Sequence, residues 1–135
     1  DKFATCWFGL YEHKSKILIS INAGHNAPLL FRNNLREPIK LVKGGIILGS
    51  MELPFVSEEV ELRRGDTLVI YTDGITEAWN KKEEEYEEER LVNSIRSANN
   101  GSAEETLNNI IEDVKKHVGQ AEQSDDLTCY VIKVK

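Results

Sequence analysis

The spacing of apolar residues shifts from strand-like to helical along this chain before a closing strand, and that shift restricts the folds open to it. Up to Tyr71 the apolar residues fall in short runs and alternations separated by turn residues, as strands require. Phe3 to Glu12 is apolar and aromatic, with Trp7, Phe8 and Leu10 suiting a central strand. The polar break Glu12-His13-Lys14-Ser15 leads into Ile17 to Asn22, so the pair reads as a β-hairpin. Short strands are predicted at Leu29 to Arg32 and Ile39 to Val42, an alternating one over Phe55 to Leu62, and a buried one over Thr67 to Tyr71. Beyond Tyr71 the spacing becomes helical. Leu91, Ile95 and Ala98 share one helix face, and Leu107, Ile110, Ile111, Val114 and Val118 share another. Ser102-Ala103-Glu104-Glu105 has the serine-to-glutamate spacing of a capping box, which predicts a helix over Ala103 to Val118. Gly119 to Ser124 is a polar loop, and Leu127 to Val134 is a closing strand.

Many strands, two helices and a last strand, with short connections in the front half, predict an α+β fold with a mostly antiparallel sheet and helices packed on a face. A length of 135 residues suits one domain or most of one. The net charge of −6 argues against a nucleic-acid or anionic-membrane surface, which would need clustered Lys and Arg. No apolar run approaches the ~18 residues of a membrane helix. Cys6 and Cys129 both fall in strand-like runs and read as reduced core thiols of a cytoplasmic protein.

Two aspartates stand at the ends of apolar strands. Asp73 follows Leu68-Val69-Ile70-Tyr71-Thr72, and Asp125 with Asp126 precedes Leu127-Thr128-Cys129-Tyr130-Val131-Ile132. A carboxylate at the mouth of a buried strand needs a cation, a donor set or water. For Asp73 a strand-ending Asx turn competes with metal binding. The second aspartate and the acid pair favour a hard-metal site for Mg²⁺ or Mn²⁺. Neighbouring residues of an extended strand face opposite ways, so one of Asp125 and Asp126 joins Asp73 while the other orients it or binds water. Two metal ions about 3.5–4 Å apart would activate a water and clamp phosphoryl oxygens.

The ordered set Phe3-Ala4-Thr5-Cys6-Trp7-Phe8-Gly9, Asn22-Ala23-Gly24-His25-Asn26, Gly44-Gly45 with Leu48-Gly49, Gly65-Asp66 with Thr72-Asp73-Gly74-Ile75-Thr76-Glu77-Ala78, Glu89-Arg90-Leu91 and Asp125-Asp126-Leu127-Thr128 resembles the SpoIIE/RsbU branch of the metal-dependent (PPM-type) serine/threonine phosphatases. The resemblance runs from Phe3 to Val134. It implies a β-sandwich of two antiparallel sheets flanked by helices in α-β-β-α layers, with 1–135 a single partial domain. It implies Mg²⁺ or Mn²⁺, two ions in a complete domain, and hydrolysis of a phosphoserine by metal-activated water. The implied partner is a phosphorylated anti-sigma-factor antagonist of the STAS type in bacterial signalling. The metal ligands carried over are Asp73 and Asp125, with Asp126 and Gly74 as neighbours that touch the metal or its ligands. The family's earlier Gly-Asp-x-Ser-Gly motif has no equivalent here, so the N-terminal part of the pattern is missing and activity of the chain as written is expected to be weak. The alternative is a non-catalytic phosphatase-like module that binds a regulatory partner. A homodimer that covers an exposed sheet edge is a further expectation. At Tyr86-Glu87 the family often carries Phe-Gly, a structural departure.

Other candidates are weaker. His25 could act as a general acid but reads as a turn-capping loop residue. Glu77 could reach the site through water but reads as helix surface. Lys81 to Glu89 is a solvated helix start. Gly44 to Gly49 lacks the Lys-Ser/Thr of a phosphate-binding loop. Cysteine phosphatase chemistry fails on spacing, because the residues six places after Cys6 and Cys129 are Glu12 and Lys135 rather than arginine.

Overall fold

The computed structural model describes residues 2–123 and 125–135, so Ser124 of the expected polar loop lies outside the described residues. The chain divides into two compact units, Asp1–Asp66 with Val134–Lys135, and Thr67–Lys133.

The first unit is built on a hairpin. β1 (Cys6–Glu12) pairs antiparallel with β2 (Ile17–Ala23) in a continuous register from Cys6 opposite Ala23 to Glu12 opposite Ile17. The other side of β2 is shared. β6 (Glu58–Glu61) runs antiparallel to residues 17–20, and β5 (Gly44–Gly45) runs parallel to Asn22 and Ala23. A separate hairpin joins β3 (Leu29–Phe31) to β4 (Ile39–Lys40). Alternation along β2 buries Leu18, Ser20 and Asn22 and leaves Ile17, Ile19 and Ile21 half-buried. The expected central strand is β1, but among the described residues its ladder runs on one side only. Its outward face stays wet, with Phe8 57% and Leu10 55% exposed. Trp7 finds a polar partner, its Nε1–H donating to Ser20 Oγ at 2.8 Å. The indole lies over Gly9, where a Cβ would collide with the ring. Cys6 is exposed, so it is no core thiol.

Arg32 and Asp66 tie this unit together. Asp66 is 1% exposed. It accepts from Arg32 Nε at 3.1 Å and Nη2 at 2.8 Å, and from the Arg63 backbone N–H at 2.9 Å. Arg32 Nη2 also donates to the Glu61 carbonyl at 2.7 Å. The carboxylate raises the guanidinium's already high pKa further.

The second unit is one antiparallel pair under three helices. β7 (Thr67–Tyr71) and β8 (Cys129–Lys133) pair from Thr67 opposite Lys133 to Tyr71 opposite Cys129. Thr67, Leu68, Val69 and Tyr71 are all buried, as their unbroken apolar run predicts. α1 (Asp73–Thr76) is a single turn, α2 spans Glu87–Ala98 and α3 spans Ala103–Val118. α3 packs on α2 and on β8. Ile110 and Val114 of α3, and Leu91 and Ile95 of α2, are fully buried. The capping box forms as predicted. Ser102 Oγ accepts from Glu105 N–H at 3.1 Å, and Glu105 Oε2 accepts from Ser102 N–H at 2.6 Å.

The acidic run is only partly helical. An isolated bridge joins Trp79 to Glu85, and α2 begins at Glu87, whose φ of 66° lies in the left-handed region. Tyr86 beside it is fully buried. Its OH donates to Asp113 Oδ2 at 2.5 Å, and its ring meets His117 edge-on at 5.5 Å. Burial, and then the Asp113 carboxylate, push the phenol far above its ordinary range.

Candidate metal centre

The two acidic loops hang from the same end of the β7/β8 ladder, because Tyr71 and Cys129 are opposite each other. The ladder continues one step beyond the strands. Thr72 N–H donates to the Thr128 carbonyl at 3.1 Å, and Thr128 N–H donates to Thr72 Oγ1 at 3.3 Å. That second bond uses a side chain where a strand would use a carbonyl. It ends the sheet and turns both chains outward. Neither threonine was singled out in the sequence, yet each stands beside its acidic loop, and that matched placement was the available signal.

Asp73 opens α1. The turn closes through Ile75 N–H to the Thr72 carbonyl at 3.1 Å and Glu77 N–H to the Asp73 carbonyl at 2.8 Å. The Asp73 carboxylate is exposed and makes no hydrogen bond or ion pair among the described residues. Its side chain is therefore not occupied by an Asx turn.

Gly74 sets the closeness of the two loops. It is buried, and a Cβ built on it would fall onto the Asp126 carbonyl oxygen and lie 3.6 Å from the Asp125 Cβ. Only glycine lets the backbone after Asp73 lie against the backbone at 125–126. Asp125 is exposed. Its Oδ1 accepts from the Asp126 N–H at 2.7 Å, and its carbonyl accepts from Gln123 Nε2 at 2.7 Å. This bond leaves Oδ2 of Asp125 and the exposed carboxylate of Asp126 uncommitted within the described residues.

The structure thus brings together the loops of Asp73, Gly74, Asp125 and Asp126. The donors on offer are hard carboxylate and carbonyl oxygens at a wet surface. They suit Mg²⁺ or Mn²⁺, which keep several waters when only one or two carboxylates bind them. Among the described residues no group of three or more His, Cys, Asp or Glu side chains is placed to hold an ion. Glu77 is an exposed residue at the end of α1, as read from the sequence. His25 belongs to the first unit. Its backbone N–H donates to Asn22 Oδ1 at 2.8 Å, so Asn22 is the side chain that caps this turn, and His25 Nδ1 lies 3.1 Å from Thr5 Oγ1.

A groove of about 300 Å³ runs beside these loops and was not foreseen. Gly74, Trp79, Val114, Val118 and Leu127 line it together with the charged Lys115 and Glu122.

A family model described as Stage II sporulation protein E (SpoIIE) matches residues 1–135. Protein IcfG of Synechocystis sp. is 30% identical over 131 residues, which is 96% of this chain and 20% of that protein. The SiaA-PP2C domain of Pseudomonas aeruginosa superposes with a TM-score of 0.82 at 17% identity, covering 96% of this chain and 51% of that one. A manganese-presoaked structure of the phosphatase domain of the cell fate determinant SpoIIE from Bacillus subtilis has a TM-score of 0.69 at 19% identity, covering 97% and 56%. The chain therefore spans a fifth of its curated relative and about half of these solved domains. At such identities the structural likeness is one of fold, and the fold is that of the PP2C phosphatase domains.

Proposed function

This chain belongs to the Stage II sporulation protein E (SpoIIE) family, and we propose that it forms the metal-binding part of a phosphoserine hydrolase in bacterial signalling. The substrate is a phosphorylated protein, with an anti-sigma-factor antagonist of the STAS type as the partner. The observation that carries this reading is the abutment of the Asp73 and Asp125–Asp126 loops at Gly74, with their carboxylates exposed.

The residues divide the work. Asp73 and Asp125 hold Mg²⁺ or Mn²⁺. The Asp126 N–H bond to Asp125 Oδ1 restrains that carboxylate's rotation and leaves Oδ2 available to a cation. Thr72 and Thr128 keep the two ligand loops at a constant separation. The bound ions supply a water acidic enough to deprotonate near neutral pH and a positive field for the phosphoryl oxygens. With two exposed carboxylates as the ligand set, the chain alone binds Mn²⁺ weakly and hydrolyses phosphoserine peptides slowly. The second reading, a phosphatase-like module that binds a regulatory partner without turnover, draws on the same short ligand set.

Calorimetric titration with Mn²⁺ tests the proposal. The wild-type chain is expected to bind, with Asp73→Asn and Asp125→Asn each weakening affinity at least tenfold. Gly74→Ala, which forces the loops apart, is expected to do the same while α3 keeps its helical signal. Identical isotherms for all four proteins would remove the metal centre. Mn²⁺ binding without any hydrolysis of phosphoserine peptides would favour the non-catalytic module.

A further inference from the structure

We propose that the groove beside the acidic loops is a specificity subsite that takes one apolar side chain of the phosphoprotein substrate, a leucine- or methionine-sized residue within about three positions of the phosphoserine. The inference rests on the phosphoserine reading and deepens it. Gly74 belongs both to the turn that carries Asp73 and to the groove wall, so the two features are continuous. The groove lies within reach of a substrate whose phosphate sits at Asp73, since three extended residues span about 10 Å.

The lining says what chemistry fits. Val114 and Val118 come from one face of α3, Leu127 from the chain entering β8, and Trp79 from the turn after α1. Trp79 is 42% exposed, and its indole N–H has no hydrogen-bond partner among the described residues. A concave apolar surface with a half-exposed tryptophan is a common form for a pocket that grips a single anchor side chain. Glu122 and Gln123 also line the groove, as does Lys115. As a flexible cation it can meet the phosphate or an acidic flank of the same peptide without closing the groove. Burying a leucine against such a wall is worth roughly a tenfold gain in affinity or more.

The test uses nine-residue peptides bearing a phosphonate analogue of phosphoserine, which resists hydrolysis. A single leucine is moved from four positions before it to four after it on an alanine background. Binding to the 135-residue chain in Mn²⁺ is read by anisotropy. Trp79 emission is read in a Trp7→Phe background. One or two leucine positions are expected to bind at least tenfold tighter than the leucine-free peptide and to shift Trp79 emission to the blue. Val118→Asp and Trp79→Ala are each expected to abolish that preference, while the leucine-free affinity, the Mn²⁺ isotherm and the helical signal stay unchanged. A preference under twofold at every position, or one that survives both substitutions, overturns the subsite. So does equal preference in peptides lacking the phosphonate, because the groove would then act apart from the acidic loops. Absence of all peptide binding also overturns it, and the Mn²⁺ isotherm then decides separately whether the metal centre stands.

Discussion

Arg32 grips Asp66 through Nε and Nη2 in a setting where the carboxylate is almost wholly withdrawn from water. The pair links the end of β3 to the turn before β7, and Arg32 carries the link on to the Glu61 carbonyl. Gly65-Asp66 belongs to the family pattern, and the geometry gives Asp66 a structural task rather than a ligand's. Removing one partner leaves a buried charge unpaired. Arg32→Ala is expected to cost about 3–5 kcal/mol in urea unfolding, with Arg32→Lys losing part of that because it cannot make the forked contact. A loss below about 1 kcal/mol would show that water reaches the carboxylate.

Glu87 occupies a backbone conformation that L-residues other than asparagine and aspartate seldom adopt. Glu87→Gly is expected to stabilise the chain by about 1 kcal/mol despite the loss of an acid from the first turn of α2. Glu87→Val, with its branched Cβ, is expected to destabilise it. Thermal melting of the two variants checks both signs, and a lower melting temperature for the glycine variant would contradict the strain.

The two thiols differ in reactivity. Cys6 is exposed, whereas burial pushes the Cys129 thiol up to about 11. At pH 8 a thiol of that kind is on the order of one part in a thousand thiolate. Iodoacetamide labelling followed by peptide mass analysis is expected to modify Cys6 at least tenfold faster, with Cys129 reacting fully only in denaturant. Equal rates would mean that β8 opens readily.

The capping box of α3 makes a pH-dependent contribution. Hydrogen bonds from the Ser102 backbone hold the Glu105 carboxyl below its ordinary 4.5. A depressed folded value stabilises the fold above the unfolded pKa, and the gain fades as pH falls through the folded one. The gap in melting temperature between wild type and Glu105→Gln is therefore expected to be widest near pH 7 and to narrow below about pH 4. Ser102→Ala is expected to cost about 1 kcal/mol at neutral pH, because it removes the acceptor for the Glu105 N–H. A gap that stays constant down to pH 3 would count against the cap.

Elements with strong periodic or capping signals were legible. α3 runs from Ala103 to Val118 and β7 from Thr67 to Tyr71, both as the sequence predicts. Boundaries set by tertiary contacts were not. The alternation over Phe55 to Leu62 yields a strand only at Glu58–Glu61, because Phe55 packs over Gly45 instead of joining the ladder. The closing strand starts at Cys129 rather than Leu127, because the Thr128 N–H bonds to a threonine side chain. The single turn of α1 is too short to show a helical period. The aspartates themselves were legible from charge set against apolar runs, but their mutual approach depended on Gly74, whose demand appears only when the partner backbone is in place. The exposed β1 face misled the reading, since Phe8 and Leu10 look the same in sequence whether or not something covers them.

The shared ladder under the two aspartates has a consequence for how such chains can vary. Both acidic loops are anchored to adjacent rungs, Tyr71 with Cys129 and Thr72 with Thr128. The long excursion from Ala78 to Gly119 leaves after the first loop and returns before the second, and its helix α3 packs on β8. Length changes between Ala78 and Gly119 can therefore proceed without shifting the register of the ladder, provided the face of α3 that packs on β8 is kept. A slip of β8 by a single residue, by contrast, would carry Asp125 to the wrong side of the sheet.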